Sequence, residues 1–372
     1  MAAKAKSDTA VPMTIEELAA DVNKKHGKEV IVLGNQVSQV VPRLSTGILS
    51  LDLALGGGWA SNQWNEVVGV ESSGKTAICY HTIAYNQALD PEFTAMFVAA
   101  EEFVPSYAQA IGVDLDRIWV VESNEMEFVF DLTVRAVEHR MIDMLVIDSL
   151  PALVTDAEAE RTMIEGQLVS PGAKIISTFF KKMSKAARRS LKDPNDRPCT
   201  LIMINQWRDV IGQMFGDPNI TPGGKAKNYH FFVRLEVARD EWIKTGSDLT
   251  TRIGQTIAVR TFKNKTHRAQ QRAQMDFYFA DGAGMKKGEF DRVKDIVNVA
   301  LSLELFEGRY KYEGVKIAST KDELPGVVRQ DLDLQRKLLE AAHRAVLPHL
   351  FDEIGGANDE QITSLEAADG QD

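Results

Sequence analysis

Residues Gly69-Val70-Glu71-Ser72-Ser73-Gly74-Lys75-Thr76 form an uninterrupted G-x-x-x-x-G-K-T phosphate loop, a pattern that dictates its own surroundings. The loop needs a buried strand feeding it and a helix leaving it, because its backbone N–H groups and the helix amino terminus hold the anion together. Both flanks comply, since residues 66–70 are largely apolar and strand-like and residues 76–89 have helical composition. The glycines let the backbone curl around a β-phosphate, Lys75 reaches the β/γ oxygens, and the Thr76 hydroxyl is a ligand for Mg²⁺. A chance glycine-rich turn does not explain this eight-residue pattern in its strand-to-helix context. The chain is expected to bind a nucleoside triphosphate.

With 372 residues and 44% hydrophobic composition, the chain has core-forming residues for one large α/β domain and a smaller one. No apolar run approaches the roughly 18 residues that span a bilayer, and the opening MAAKAKSDTAVP is too polar for a signal peptide, so a cytoplasmic protein without a membrane partner is expected. Cys79 and Cys199 are far apart and each lies in an apolar segment, which reads as two reduced, buried thiols. None of the seven histidines has metal-ligand spacing to another His or Cys, so no transition-metal site is expected.

The net charge of −10 conceals an uneven distribution. Seven acids and no base follow Phe351, in a Gly/Ala/Asp-rich tail expected to be disordered. From Lys174 to Lys227 eleven bases face four acids, leaving a surplus of +7 compatible with a nucleic-acid surface.

Residues 14–25 read as an amphipathic helix, with Thr14 and Glu17 spaced as a capping box and Gly27 placed to stop it. Its apolar stripe, Leu18, Ala19 and Val22, must be buried either on the chain's own core or on a neighbouring subunit. Short β-rich runs follow at 66–70, 95–100, 118–122, 144–148 and 201–205, with turn chemistry and helical or polar segments after the first four, as a parallel sheet requires. Later runs at 232–238, 256–262 and 274–279 lie closer together and suggest an antiparallel extension. After Gly284 short Lys-rich helices, a Tyr310/Tyr312 strand-like patch and a helix over 332–345 suggest a small second domain. The expected class is α/β, with the nucleotide at the carboxyl ends of the strands. The expected divisions are 1–39, 40–284, 285–350 and the tail 351–372.

Met144-Leu145-Val146-Ile147-Asp148 is an apolar strand ending in an acid, and paired with the upstream phosphate loop it suits Asp148 to the Mg²⁺ hydration shell. A second acid-ended strand closes on Glu101 and Glu102, either of which suits deprotonation of an attacking water. Asn205-Gln206 ends a further strand, where an amide can bond the γ-phosphate and move when it leaves; an ordinary strand-end cap is the plain alternative.

The blocks LSTGILSLDLALGGG (44–58), GVESSGKT (69–76), AIGVDLDRI (110–118), LVIDSLPALV (145–154), MINQWRDVIGQMFGDPNITPGGKA (203–226) and VRTFKNKTH (259–267) resemble, in order and spacing, the bacterial RecA recombinase family. The resemblance spans residues 14–345, and the combined blocks are specific. It implies a RecA-like P-loop ATPase core with a mostly parallel sheet, an N-terminal oligomerisation helix and a small α/β C-terminal domain. It also implies ATP and Mg²⁺ as cofactors, a helical filament of identical subunits on single-stranded DNA, and pairing with homologous double-stranded DNA. It selects Glu101 as the catalytic glutamate, Gln206 as the γ-phosphate sensor, and Lys263 and Lys265 as cations reaching a neighbour's nucleotide. Tyr107 matches a tyrosine near adenine, and Tyr229 an aromatic at the subunit interface. Arg208, Ile211, Met214, Phe215, Gly223, Gly224 and Lys225 match the second DNA loop, where apolar wedges, backbone N–H groups and cations suit a stretched strand. The first loop, near 165–172, matches poorly, and Lys174 is its nearest cation. Val70 and Ala77 replace the usual proline and threonine, and neither position carries essential chemistry, so Ala77 still belongs to the nucleotide-binding set. Val104 stands where an adenine-side aspartate is usual.

Two other readings use the same residues. A hexameric helicase on this core would translocate rather than hold a filament, yet the Lys263-Asn264-Lys265 block fits a recombinase interface. A mediator whose nucleotide only stabilises assembly fits poorly with the set Lys75, Glu101, Asp148 and Gln206.

Overall fold

The computed structural model describes residues 14–38, 41–161, 171–193, 195–209, 219–246 and 250–348. Its centre is one eight-stranded sheet: β1 (Trp64–Val68), β2 (Ala95–Ala99), β3 (Ile118–Glu122), β4 (Met144–Asp148), β5 (Thr200–Asn205), β6 (Phe231–Thr245), β7 (Thr251–Asn264) and β8 (Arg272–Tyr278). The spatial order is β8-β7-β6-β1-β5-β4-β2-β3, parallel from β6 to β3 and antiparallel from β6 to β8.

The parallel strands are apolar on both faces because each face is covered. In β4, Met144 and Val146 join one core while Leu145 and Ile147 join the other, and in β5 Ile202 and Ile204 oppose Leu201 and Met203 in the same way. The first core packs under α2 (Leu49–Leu55), α3 (Lys75–Leu89) and α4 (Pro105–Ala110). The second lies against α5 (Met126–Glu138) and α6 (Pro171–Ala186), where Phe130 stacks on Phe179 at 3.8 Å and Trp64 meets Phe180 edge-on at 5.4 Å. Each such aromatic pair adds about 0.5–1.5 kcal/mol beyond its burial.

A third cluster joins α7 (Arg292–Ser302), α8 (Leu324–Arg329) and α9 (Leu332–Val346) to Leu49 and Leu53 of α2. The tyrosine patch supplies one short pairing, Lys311–Tyr312 against Val315–Lys316. Both cysteines are buried and free.

Two expectations change in detail. The run at 232–238 joins the parallel sheet beside β1 before turning into a hairpin with β7, and that hairpin is much longer than its apolar runs. Its outer half, including Arg239, Asp240, Glu241 and Arg252, is exposed and polar, so hydrophobic alternation does not report it.

α1 (Ile15–His26) forms as its caps dictate: Thr14 and Glu17 exchange both capping-box hydrogen bonds, and Gly27 ends the helix at φ 62°. None of its residues is buried, and Leu18 stays 42% exposed. The chain's own core therefore leaves the apolar stripe incompletely covered, Leu18 exposed and Ala19 and Val22 half-buried. No helix among the described residues is long and apolar enough to cross a membrane.

Candidate nucleotide site

Four adjacent parallel strands deliver their carboxyl ends to one edge. β1 leads into Gly69, β5 into Gln206, β4 ends on Asp148 and β2 leads to Glu101. Register fixes the alignment, with Val68 paired to Asn205 and Ala99 to Asp148, and the Ala100 N–H donating to Asp148 O at 2.8 Å.

The loop glycines are there because strands crowd them. A Cβ on Gly69 would lie 2.1 Å from Val237 O, and one on Gly74, at φ +100°, would lie 2.3 Å from Ile257 Cδ1. A side chain at Gly69 would force the β6 backbone aside, and one at Gly74 would be strained by the left-handed φ even if the Ile257 tip gave way.

Within the loop Ser73 is buried with its hydroxyl unpartnered, and Lys75 donates to Val70 O at 2.6 Å. Burial lowers the Lys75 pKa, against the pull of Asp148 and Glu71. An unsatisfied hydroxyl and a desolvated ammonium are the groups an incoming phosphate would satisfy.

Thr76 Oγ1 donates to Asp148 Oδ2 at 2.6 Å, and burial raises the Asp148 carboxyl while Thr76 and Lys75 oppose the rise. Two hard oxygens in contact, one on a carboxylate costly to ionise without a cation, fit Mg²⁺. Glu101 is exposed, and Ser149 Oγ donates to its Oε1 at 3.5 Å. Among the described residues no comparable contact reaches the carboxylate of Glu102, which is also exposed.

A cleft of about 380 Å³ runs from the loop toward the antiparallel strands, lined by residues 72–77, Tyr107, Trp242, Gln255, Phe277 and Phe279. Burial lifts the Tyr107 phenol to about 12, keeping it a neutral donor.

The RecA N-terminal domain family matches residues 13–284 of this sequence, the segment that contains every strand of the sheet and the whole edge just described. The chain belongs to the RecA family. Protein RecA of Listeria welshimeri is 31% identical over 358 residues, 95% of either chain. Protein RecA of Symbiobacterium thermophilum is 33% identical over 349 residues, 92% of this chain and 95% of its own.

The structure brings together the RecA-matched residues Gly69, Glu71, Ser72, Ser73, Gly74, Lys75, Thr76, Ala77 and Asp148, with Glu101 and Gln206 on the same edge. Tyr107 joins them across the cleft. Lys263 and Lys265 do not reach this loop. Lys263 pairs with Arg234, level with Glu66, and donates to Asn228 O at 2.5 Å, while Lys265 donates to Tyr229 O at 3.3 Å. Burial, helped by Lys265 and Arg234, lowers Lys263 to about 8. Tyr229 beside them is 79% exposed.

Arg208 is exposed at the start of a short pairing, Arg208–Asp209 with Asn219–Ile220. Ile211, Met214 and Phe215 lie outside the described residues, as do most of 165–172 and the tail from 351. Gly223 and Gly224 adopt φ +93° and +77° ahead of the 3-10 turn Lys225–Tyr229, and Lys174 is exposed on α6.

Beneath this loop base lies a charge group that spacing does not reveal. Glu66 is fully buried, accepting from Lys227 at 3.0 Å, Arg234 at 2.5 Å and Asn205 at 2.9 Å, while Lys227 also donates to Thr221 at 2.6 Å. Trp242, Gln255, Phe277 and Phe279 were equally hidden, since the last two are marked only as members of the apolar run 274–279 and the first two lie outside every run read from the sequence.

Proposed function

We propose that this RecA-family chain is an ATP- and DNA-dependent recombinase that assembles helical filaments on single-stranded DNA, pairs it with homologous duplex and exchanges strands. The observation that carries the reading is the shared edge: Gln206 ends the strand beside the phosphate loop, and the segment matched to DNA contact begins two residues later at Arg208. Nucleotide state and DNA contact are thereby coupled through one strand end.

In this reading Lys75 faces the β/γ-phosphates, and Thr76 with Asp148 would hold Mg²⁺, which would neutralise charge developing on the phosphates. Glu101 takes the proton from the attacking water as its oxygen bonds to the γ-phosphorus and the bond from that phosphorus to the β–γ bridging oxygen breaks, the nucleoside diphosphate leaving with that oxygen, and Ser149 orients the Glu101 carboxylate. Gln206 bonds the γ-phosphate and follows its departure.

Lys263 and Lys265, turned from the chain's own loop, serve a neighbour's nucleotide, with Tyr229 at the same interface. The incompletely covered stripe of α1 supports burial on an adjacent subunit. Lys174, Arg208, Lys225 and the Gly223-Gly224 turn take DNA phosphates, and Ile211, Met214 and Phe215 wedge between bases. The divisions 1–39, 40–284, 285–350 and 351–372 then correspond to oligomerisation arm, ATPase core, C-terminal unit and acidic tail, in a cytoplasmic protein.

Electron microscopy with single-stranded DNA and a slowly hydrolysed ATP analogue tests the assignment. Open helical filaments that fail to form with Lys75→Ala are expected. Closed six-membered rings would identify a helicase instead.

A further inference from the structure

The base end of the cleft is built by residues that the phosphate-loop chemistry does not use. Trp242, Gln255 and Phe277 are direct cross-strand partners on β6, β7 and β8, so one row of side chains crosses the antiparallel extension. Phe279 continues the row two residues on and meets the Trp242 indole edge-on, with centroids 6.1 Å apart.

The indole is held in place. The guanidinium carbons of Arg239 and Arg252 lie 4.2 Å and 4.5 Å from its ring centroid, inside cation–π range. Gln255 is only 5% exposed, and its amide bonds to none of the described residues. Its Nε2 sits 3.5 Å from the point a Cβ on Gly74 would occupy, between the phosphate loop and Trp242. An amide that makes no hydrogen bond among the described residues and opens into the cleft is a group that a ligand can satisfy. From α4 the cleft receives Tyr107, while Val104, the residue before that helix, is not among its lining residues.

We propose that Trp242 and Gln255 are the specificity-determining residues of the nucleotide cleft: Trp242 closes it against the broad face of a purine, and Gln255 hydrogen-bonds the sugar between base and phosphates. The proposal rests on the nucleotide reading of the same cleft. A purine fills the space between the Tyr107 wall and the Trp242–Phe279 wall, whereas a pyrimidine leaves part of that apolar surface uncovered. Arg239 and Arg252 pre-set the indole, so little ordering is required on binding.

Displacement of a fluorescent methylanthraniloyl-ADP from the full chain, with Mg²⁺ present, separates the two ends of the site. ATP, CTP and inorganic tripolyphosphate serve as competitors, tripolyphosphate reading the phosphate loop alone. Trp242→Ala is expected to weaken ATP roughly 10-fold, the scale of one lost base–aromatic contact, to narrow the ATP/CTP ratio, and to leave tripolyphosphate unchanged. Trp242→Phe should recover most of the ATP affinity. Gln255→Ala should weaken ATP and CTP alike, again sparing tripolyphosphate.

If Trp242→Ala leaves the ATP/CTP ratio intact, or weakens tripolyphosphate as much as ATP, Trp242 does not select the base. If Gln255→Ala changes no competitor, its amide has no ligand role. Failure of the unaltered chain to bind the fluorescent nucleotide would instead remove the nucleotide reading itself, a result distinguishable from either.

Discussion

At the residue scale, environment separates groups that composition makes equal. Glu101 and Glu102 end the same strand, but only Glu101 receives the Ser149 hydroxyl beside Asp148. Glu101→Gln is expected to retain ATP binding and slow DNA-stimulated hydrolysis by about 10²-fold or more, since an amide can hold a water but cannot take its proton. Glu102→Gln should turn over nearly as the parent does, and the reverse ranking in steady-state assays would reassign the base. Asp295 poses a different case, being buried with Oδ2 accepting from the Ser50 N–H at 3.0 Å and Oδ1 unpartnered. Burial raises its carboxyl to about 7 and that of neighbouring Asp52 to about 6, while Arg292 opposes both rises. A carboxyl whose pKa rises on folding stabilises the fold fully below its unfolded value, here 3.8, and that contribution is lost as pH climbs through about 7. Asp295→Asn, neutral throughout, should therefore raise Tm over the parent by at least about 3 °C at pH 8.5, keep less than half of that advantage at pH 5 and lose it only below the unfolded value of 3.8. Equal calorimetric shifts at both pH values would remove the ionisation account.

At the element scale, the sheet is positioned by charges as well as by apolar packing. Glu66 in the middle of β1 binds Lys227 from the 3-10 turn and Arg234 from β6, so one carboxylate fixes the loop base to two strands. Burial lowers the Lys227 pKa while Glu66 raises it, and its side chain has no solvent exposure. Removing one partner leaves a buried charge under-compensated, so Lys227→Met is expected to cost about 3 kcal/mol, near the low end for such pairs because Arg234 remains. Urea unfolding reads this directly, and an unchanged midpoint would show that the triad contributes nothing. Because Lys227 also holds Thr221, the same variant should loosen the segment matched to DNA contact.

At the scale of the whole molecule, charge is segregated. The last 22 residues carry seven acids and no base, whereas 174–227 carries a surplus of bases. A polyanionic segment in the same chain as a basic one can compete with DNA phosphates, and Mg²⁺ screens that competition. Truncation after Leu350 is expected to tighten duplex binding and lower the Mg²⁺ needed for homologous pairing. Titrations of full-length and truncated protein that superimpose at every Mg²⁺ concentration would leave the tail a solubilising appendage.

The sequence by itself determined the phosphate loop, the acid-ended β4 and the capped α1, because each is specified by residues within a few positions of one another. Hydrophobic runs likewise located part of every strand of the sheet, but not the outer half of the β6–β7 hairpin, whose exposed polar residues carry no such signal. Only the tertiary structure decided which glutamate meets Ser149, that Lys263 and Lys265 bond Asn228 and Tyr229 rather than their own phosphate loop, and that Glu66 gathers Lys227 and Arg234. Trp242 and Gln255 belong to that second class: one lies on the polar half of a hairpin, the other just ahead of an apolar run. Their alignment over the phosphate loop arises from strand pairing between residues distant in the chain, which no local pattern encodes.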